Sequence, residues 1–199
     1  MVRASYLQIY NDQISDLLRV DRTNLQIRED KKKGIFVENL SEWAIRNPQE
    51  VFKLIQKGAN IRATASTKLN SISSRSHAVF MIIIEQMQLD NQNEEFKHVK
   101  VGKLNLVDLA GSERARITGA TGVRLEECKK INQSLSSLGN VISALTEPGN
   151  RSHIPYRDSK ITRILEDSLG GNCKTTFMAM VSPAVDAIQE SVLKNYNLF

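Results

Sequence analysis

The sequence has few cysteines and no long apolar run. Its two cysteines, Cys128 and Cys173, are too few and too far apart for a disulfide framework or a zinc site, so both are interpreted as reduced thiols. No apolar stretch approaches the roughly 18 residues of a membrane span, and the start of the chain lacks the pattern of a secretory signal. We therefore expect a soluble, intracellular protein that does not bind membranes.

Aromatic residues are also scarce, at 6% of the chain. The net charge of +5 and the pI near 9.2 favour an acidic partner, which by charge alone is a nucleic acid, an anionic membrane or an acidic protein surface. The aromatics do not alternate with basic residues, as they would in a platform on which bases stack. A nucleic-acid partner is therefore not expected.

The phosphate-binding motif G-x-x-x-x-G-K-[ST] is absent from the chain. In proteins that have it, backbone N–H groups of this loop cradle the phosphates of a nucleotide. The segment from Gly170 to Thr175 contains glycines and a lysine but lacks the required spacing, so it is interpreted as the exit of a helix. Residues 1–199 therefore do not contain this kind of phosphate-binding loop.

Hydrophobic residues make up 41% of the 199 residues, which suits one folded domain, 1–199, without repeats or a linker. Short runs rich in β-branched and apolar residues predict strands, with a polar, solvated loop from Asp90 to Lys100 between two of them. The predicted strands are Val2–Tyr10, Leu25–Arg28, Gly34–Leu40, Ala78–Ile84, Lys103–Val107 and, as a buried strand, Thr175–Val181.

Helices are predicted by apolar residues three or four positions apart. A short helical turn is expected at Asp12–Leu18. A helix should begin near Pro48, turn Val51, Phe52 and Ile55 inward, and weaken at Gly58. Two further predicted helices are a long one from about Arg124 to Pro148 and a shorter one over Asp158–Ser168. Strands that alternate with helices indicate a central sheet with helices on both faces and ligands at strand ends.

Two polar motifs fall at such strand ends. Asp108 opens D-L-A-G after an apolar run, and one aspartate suffices for a hydrated Mg²⁺ that also binds phosphates. Gly111 has no Cβ, so its N–H can approach a terminal phosphate closely. Hydroxyls, a guanidinium and an imidazole, all suited to phosphate oxygens and metal-bound water, cluster before another strand at Ser71, Ser73, Ser74, Arg75, Ser76 and His77. Either motif alone is also typical of an exposed loop, but together they are more specific.

These motifs resemble the phosphate-sensing switches of kinesin motor domains. The run from Gly58 through Arg62, Thr67 and Asn70 to His77 resembles switch I, and D-L-A-G-S-E, 108–113, resembles switch II. Other similar segments are Ser5–Leu18, Ile131–Gly139, His153–Arg163 and Asp167–Thr175. Departures from the family occur at Gln8 and Asp12, where glutamates are usual, and over Ser191–Phe199.

The resemblance runs from Ser5 to about Pro183, which corresponds to the carboxyl-terminal portion of a kinesin motor domain. It implies an α/β, three-layer, P-loop NTPase-like kinesin motor fold, with a central sheet flanked by helices and incomplete on its amino-terminal side. Without the missing strands, the sheet should have an exposed edge. Family cofactors would be ATP and Mg²⁺.

By position, the resemblance implies roles for individual residues. Ser73 and Ser74 would contact the γ-phosphate and the magnesium shell, Asp108 would hold Mg²⁺ through water, and Gly111 would sense the γ-phosphate. The other implied nucleotide-binding residues are Asn70, Ser76 and His77.

The implied catalytic residues are Ser73, Arg75, Glu113 and Asn132. Arg75 and Glu113 would form an ion pair that closes the switches, which suits the directional geometry of an arginine with a carboxylate. Glu113 with its waters would assist proton removal from the attacking water, and Asn132 would report closure to the long helix.

Basic residues after switch II and on the last two predicted helices form a second candidate site. Such charges usually only solvate a surface, but in kinesins the corresponding region faces the acidic microtubule. The candidate tubulin contacts, which we call the basic track, are Arg114, Arg116, Lys129, Arg157, Lys160 and Arg163.

The leading hypothesis is a fragment of a microtubule motor, located in the cytoplasm on the cytoskeleton and lacking the elements for dimerisation. Whether this chain alone is an enzyme is left open, whereas the complete family domain is a microtubule-stimulated ATPase. The alternative is a nucleotide-independent microtubule-binding module. A GTPase is suggested only by D-x-x-G, because the guanine-reading motif N-K-x-D is absent.

Overall fold

A computed structural model describes residues 1–31, 34–64, 73–90, 93–111, 123–147 and 153–185. The chain divides into two compact units. The first combines Met1–Leu25 with Asn39–Leu109, and the second combines Gln26–Glu38 with Ala110–Phe199. In the described ranges no helix is both long and apolar enough to span a membrane.

Strands and helices follow one another along the chain as predicted in outline. The strands are β1 Val2–Tyr10, β2 Gln13–Asp16, β3 Ile27–Asp30, β4 Gly34–Val37, β5 Trp43–Ala44, β6 Ser76–Asp90 and β7 Asn93–Asp108. The helices are α1 Pro48–Thr64, α2 Val123–Thr146, α3 Lys160–Ile164 and α4 Glu166–Gly170, with 3₁₀ turns at Ser73–Arg75 and Tyr156–Asp158.

The first unit is built on an antiparallel sheet. Its described strand order is β2-β1-β6-β7, and β5 pairs with β1. A buried apolar cluster holds α1 against this sheet, and at its centre the rings of Tyr6 and Phe80 meet edge to face at 5.2 Å. Val51, Leu54 and Ile55 of α1 pack on that cluster. Two of the three residues predicted to face inward therefore do so, but Phe52 is 70% exposed.

The predicted helical turn at Asp12–Leu18 is wrong, because this segment contains β2. Asn11 and Asp12 both have positive φ, 51° and 60°, and link β1 to β2 in a two-residue turn. Such turns suit asparagine and aspartate and match the twist of a hairpin. The buried carboxylate of Asp16 then accepts hydrogen bonds from the backbone N–H groups of Leu18, Arg19 and Ser41 at 2.8–3.1 Å.

The predicted pairing of the strands at Ala78–Ile84 and Lys103–Val107 is confirmed, but the solvated loop between them is wrong. The ladder of β6 and β7 continues to Leu89 paired with Lys97. Polar residues fit this extension because backbone hydrogen bonds alone can continue a ladder beyond the core. The outer strand β7 exposes apolar side chains on both faces, including Val101, Leu104 and Leu106.

The second unit contains the hairpin of β3 and β4 together with α2, α3 and α4. Helix α2 confirms the long helix predicted from periodicity and buries Ile131, Leu138, Val141 and Ala144. The predicted helix at Asp158–Ser168 is divided into α3 and α4 at Leu165. Ser159 caps α3 by accepting a hydrogen bond from the N–H of Thr162 at 3.3 Å.

The predicted buried strand Thr175–Val181 is wrong for the described residues, since this segment has no strand assignment and is exposed. Phe177, Met178, Met180 and Val181 all lie open to solvent. An apolar run predicts burial, but a strand also needs a neighbour whose backbone groups complete its ladder. No described strand pairs with this segment.

Gly58 does not weaken α1 as predicted, because the helix continues to Thr64 and places this glycine against Tyr6. A Cβ at Gly58 would lie 2.2 Å from Cδ1 of the tyrosine ring. Alanine favours helices, but here we expect Gly58→Ala to lower the free energy of unfolding by about 1–3 kcal/mol through overpacking. Chemical denaturation measures this change.

The matched control is Gly102→Ala on the exposed strand β7, where a Cβ would meet nothing within 4 Å. Its effect should stay within about 0.5 kcal/mol. Equal stability of the two variants would contradict the packing of α1 on Tyr6.

Candidate functional site

The two predicted polar motifs meet at one end of the sheet. Strand β6 begins at Ser76 and β7 ends at Asp108, and the antiparallel register pairs Ala78 with Asp108. On the other side of β6, Tyr10 at the end of β1 pairs with Ser76. The carboxylate of D-L-A-G thus lies beside the start of the strand that follows the serine cluster, as the sequence predicts.

Arg62, from the last turn of α1, joins these strand ends. Its Nε donates to Ser76 Oγ at 3.1 Å, and its Nη2 donates to the Ser76 carbonyl oxygen at 2.5 Å. Its Nη1 donates to Asp108 Oδ2 at 2.6 Å. The arginine side chain is 8% exposed, whereas that of Asp108 is 69% exposed. The guanidinium is therefore largely buried, and a carboxylate that still reaches solvent neutralises it.

His77 lies in the same cluster and is 3% exposed. Its pKa is lowered from 6.5 to about 4, mainly by burial and in part by Arg62, while Asp108 acts in the opposite direction. Burial also raises the pKa of the Tyr6 hydroxyl, against the effect of Arg62 and with that of Asp108. At neutral pH both side chains are uncharged, so the charged groups among these four residues are Arg62 and Asp108.

The remaining predicted switch residues are only partly described. Ser74 and Arg75 are half-buried in the 3₁₀ turn before β6. Gly111, beyond β7, and Asn132, on α2, are half-buried in the second unit. Asn70, Glu113, Arg114, Arg116 and the side chain of Ser73 lie outside the described residues, so the Arg75–Glu113 ion pair stays a prediction.

Arg62 was not predicted as a site residue. It lies one helical turn after Gly58, and both residues are on the buried face of α1. The four-residue spacing places Arg62 on the same helix face as Gly58, but arginine on a helix is usually exposed. The spacing was visible in the sequence, but the burial of Arg62 and the identity of its partners required the fold.

The described part of the basic track differs in exposure from residue to residue. Arg157 is 77% exposed, and Lys129 is exposed and pairs with Glu126 at 2.6 Å. Lys160 is half-buried at the start of α3. Arg163 is 16% exposed and donates hydrogen bonds to Glu29 and Glu166.

The described residues include no group of three or more His, Cys, Asp or Glu side chains that could enclose a metal ion. Asp108 contributes a single, solvent-accessible carboxylate. This arrangement fits Mg²⁺, which keeps several waters and needs only one or two carboxylates when phosphates supply its other ligands. It does not fit a metal held by protein ligands alone.

Comparison with known proteins identifies the family. The family model for the kinesin motor domain matches residues 1–194. This chain belongs to the kinesin motor domain family. It is 50% identical over 198 residues to a kinesin heavy chain from Doryteuthis pealeii, covering 100% of this chain and 20% of that protein. It is also 50% identical over 192 residues to the kinesin-like protein KIN-12E from Oryza sativa subsp. japonica, covering 96% of this chain and 10% of that protein.

A solved structure of a fast kinesin, described with its ATPase mechanism and interactions with microtubules, matches with a TM-score of 0.84 and 46% identity. The match covers 99% of this chain and 55% of that one. The predicted kinesin motor fold is thereby confirmed. The chain spans about half of this solved structure and a fifth or less of the two relatives.

The buried guanidinium should contribute to the stability of this kinesin motor segment. Arg62→Gln removes the ion pair and leaves the Ser76 carbonyl with a lost donor, so we expect the free energy of unfolding to fall by about 1–3 kcal/mol. The control is Arg28→Gln, which breaks the exposed Arg28–Glu38 pair at 3.1 Å and should cost about 0–1 kcal/mol. Equal losses would contradict the role of Arg62.

The low pKa of His77 makes stability depend on pH. Between pH 6.5 and about 4, the unfolded chain binds a proton at this imidazole that the folded chain does not. The free energy of unfolding should therefore fall as the pH drops through this window, by up to about 3 kcal/mol. An NMR titration checks the cause, with exposed His153 as the internal comparison, and a His77 midpoint near 6.5 would contradict it.

Proposed function

We propose that this chain is the switch-containing part of a microtubule motor that, in its complete motor domain, couples ATP hydrolysis to movement. The observation that carries the proposal is the convergence of β6 and β7 at Ser76, Arg62 and Asp108, in a chain that matches the kinesin family model over 1–194. This end of the sheet brings the accessible carboxylate of Asp108 beside the start of β6, which follows a serine-rich segment in the sequence. Such a site can respond to a phosphate and its metal ion.

For the nucleotide, we assign direct contacts to the residues that kinesin family membership implies at the phosphates, and support to two buried residues. Ser73, Ser74 and Asn70 would meet the phosphates and the metal shell, with Gly111 at the γ-phosphate. Ser76 and His77 are almost fully buried, so their proposed role is to hold the loop in place.

Asp108 would hold Mg²⁺ through water, and the ion would neutralise charge on the phosphate oxygens. Arg62 already donates to one oxygen of this carboxylate. Water on a bound ion would donate to the same carboxylate, so that Asp108 would be shared between this water and Arg62. Occupancy by Mg²⁺ should weaken the Arg62–Asp108 bond and thus report the state of the nucleotide to α1.

The proposed closing elements are Arg75 with Glu113, and Asn132 on α2. Closure would bring Glu113 and its waters to the water that attacks the γ-phosphate, and Glu113 would accept the proton. Asn132 would carry the change to α2. This assignment rests on family membership and on the half-buried positions of Arg75 and Asn132.

Hydrolysis would require the rest of the motor domain. Strand β7 exposes apolar side chains on both faces, and a second apolar segment, Phe177–Val181, is exposed as well. We propose that 1–199 is a partial motor domain, and that the remaining part covers β7 and supplies the phosphate cradle. The chain alone should then bind nucleotide weakly and hydrolyse it poorly.

The basic track is the proposed microtubule surface, which would place the protein on cytoplasmic microtubules. Of its described members, Arg157 and Lys129 are the most exposed. Binding between exposed charges and an acidic filament should weaken strongly at high salt. ATP, Mg²⁺ and the microtubule are the proposed ligands and partner.

The test is co-sedimentation of the purified chain with microtubules at low and high salt, without nucleotide, with ADP and with a non-hydrolysable ATP analogue. We expect salt-sensitive binding that Lys129→Ala weakens by roughly 2- to 5-fold, the effect of one exposed charge. Lys53→Ala, which removes the same charge from an exposed position on α1, is the control and should leave binding unchanged.

Each outcome separates the hypotheses. A change with nucleotide would support working switches, and binding that ignores nucleotide would favour the alternative module that retains only its filament surface. Absence of binding by folded protein would contradict the microtubule assignment for this chain.

A further inference from the structure

The hairpin of β3 and β4 is tied to α3 by one carboxylate. Glu29, on β3, accepts a hydrogen bond from Nη2 of Arg163, and its Oε2 lies 3.8 Å from Nη2 of Arg157. Arg163 also donates through Nη1 to Glu166. Both arginines belong to the basic track, so Glu29 is an acidic residue that pairs with two of its members.

The hairpin needs such an anchor. Its two strands have four residues each and pair only with one another among the described strands. Isolated two-stranded hairpins are marginally stable in water. Ile35 and Val37 are buried, and β4 packs against α3. Apolar contacts are not directional, whereas a guanidinium and a carboxylate bond in a defined geometry. The Glu29–Arg163 pair therefore orients the hairpin on α3.

The two arginines have different surroundings. Arg163 is 16% exposed and engages two carboxylates, whereas Arg157 is 77% exposed and, within the described ranges, forms its ion pair with Glu29. Arg163 is therefore committed to contacts within the protein. Arg157 keeps most of its surface available to a partner, with Glu29 as its neighbour.

We propose that Glu29 is a positioning residue for microtubule binding. It holds the hairpin against α3 through Arg163 and restrains Arg157 so that its guanidinium is presented to the filament. Arg163 thereby supports the basic track from within and is not itself a filament contact. This inference rests on the proposed microtubule surface.

The direction in which Glu29→Gln changes microtubule affinity distinguishes a positioning role from a simple effect of charge. Glu29→Gln removes a negative charge from a basic surface, and if only charge mattered, binding to acidic microtubules would tighten. If Glu29 positions the basic track, the same substitution weakens binding. We expect a decrease in affinity of roughly threefold or more, the size associated with losing one oriented charged contact.

The matched control removes the same negative charge from a residue next to the same hairpin. Glu38→Gln removes an equal charge from the residue just after β4, where Glu38 pairs with exposed Arg28. It should leave affinity unchanged or slightly higher. Glu29→Asp keeps the carboxylate and should restore most of the binding that Glu29→Gln loses.

Amide hydrogen exchange provides a second readout that does not depend on microtubules. In Glu29→Gln, exchange should accelerate in β3 and β4 while α2 keeps its protection, which also shows that the variant is folded. Loss of protection throughout the unit would instead mean a general structural role and would overturn the proposal.

Two further results would also overturn it: tighter binding by Glu29→Gln, or equal binding by Glu29→Gln and Glu38→Gln. Failure of the wild-type chain to bind microtubules would remove the proposed function and this inference with it. If the wild-type chain binds microtubules and Glu29→Gln binds with the same affinity, the inference about Glu29 is wrong but the proposed function stands.

Discussion

A buried arginine that must be neutralised organises one end of the sheet. Arg62 enters from α1 with 8% of its side chain exposed, and leaving such a charge without partners would cost several kcal/mol. Ser76 and Asp108 supply the required acceptors. Because they stand at the start of β6 and the end of β7, satisfying one guanidinium also fixes the relative position of both switch-bearing strand ends.

The same arrangement leaves the carboxylate of Asp108, the proposed magnesium ligand, accessible. Burial keeps His77 neutral, whereas Asp108 remains exposed and engages Arg62 through one oxygen. In the second unit, Arg163 is likewise held between Glu29 and Glu166, while Arg157 stays open. In both units a buried or half-buried arginine holds two elements together, and the charged residue beside it remains exposed.

Local periodicity made some elements predictable and nonlocal partners determined the others. Helix α2 followed from apolar spacing, because Ile131 and Leu138 recur on one face, and the positions of Ser76 and Asp108 followed from strands that end beside each other. The prediction of a helical turn where β2 lies was wrong, because Asn11 and Asp12 adopt positive φ and form a hairpin turn. The prediction of a buried strand at Thr175–Val181 was wrong, because apolar character favours burial but does not supply a strand to pair with. Arg62 was missed since its role exists only once α1 lies on the sheet.

The most direct test is a double-mutant cycle between Arg62→Gln and Asp108→Asn, measured as free energies of unfolding at low and at high salt. A largely buried guanidinium hydrogen-bonded to a carboxylate should give a favourable coupling energy of about 1 kcal/mol, and burial of Arg62 should preserve most of it at high salt. A coupling energy below about 0.3 kcal/mol, or one that high salt abolishes, would show that the pair is an ordinary surface contact. That result would contradict the central place given to Arg62.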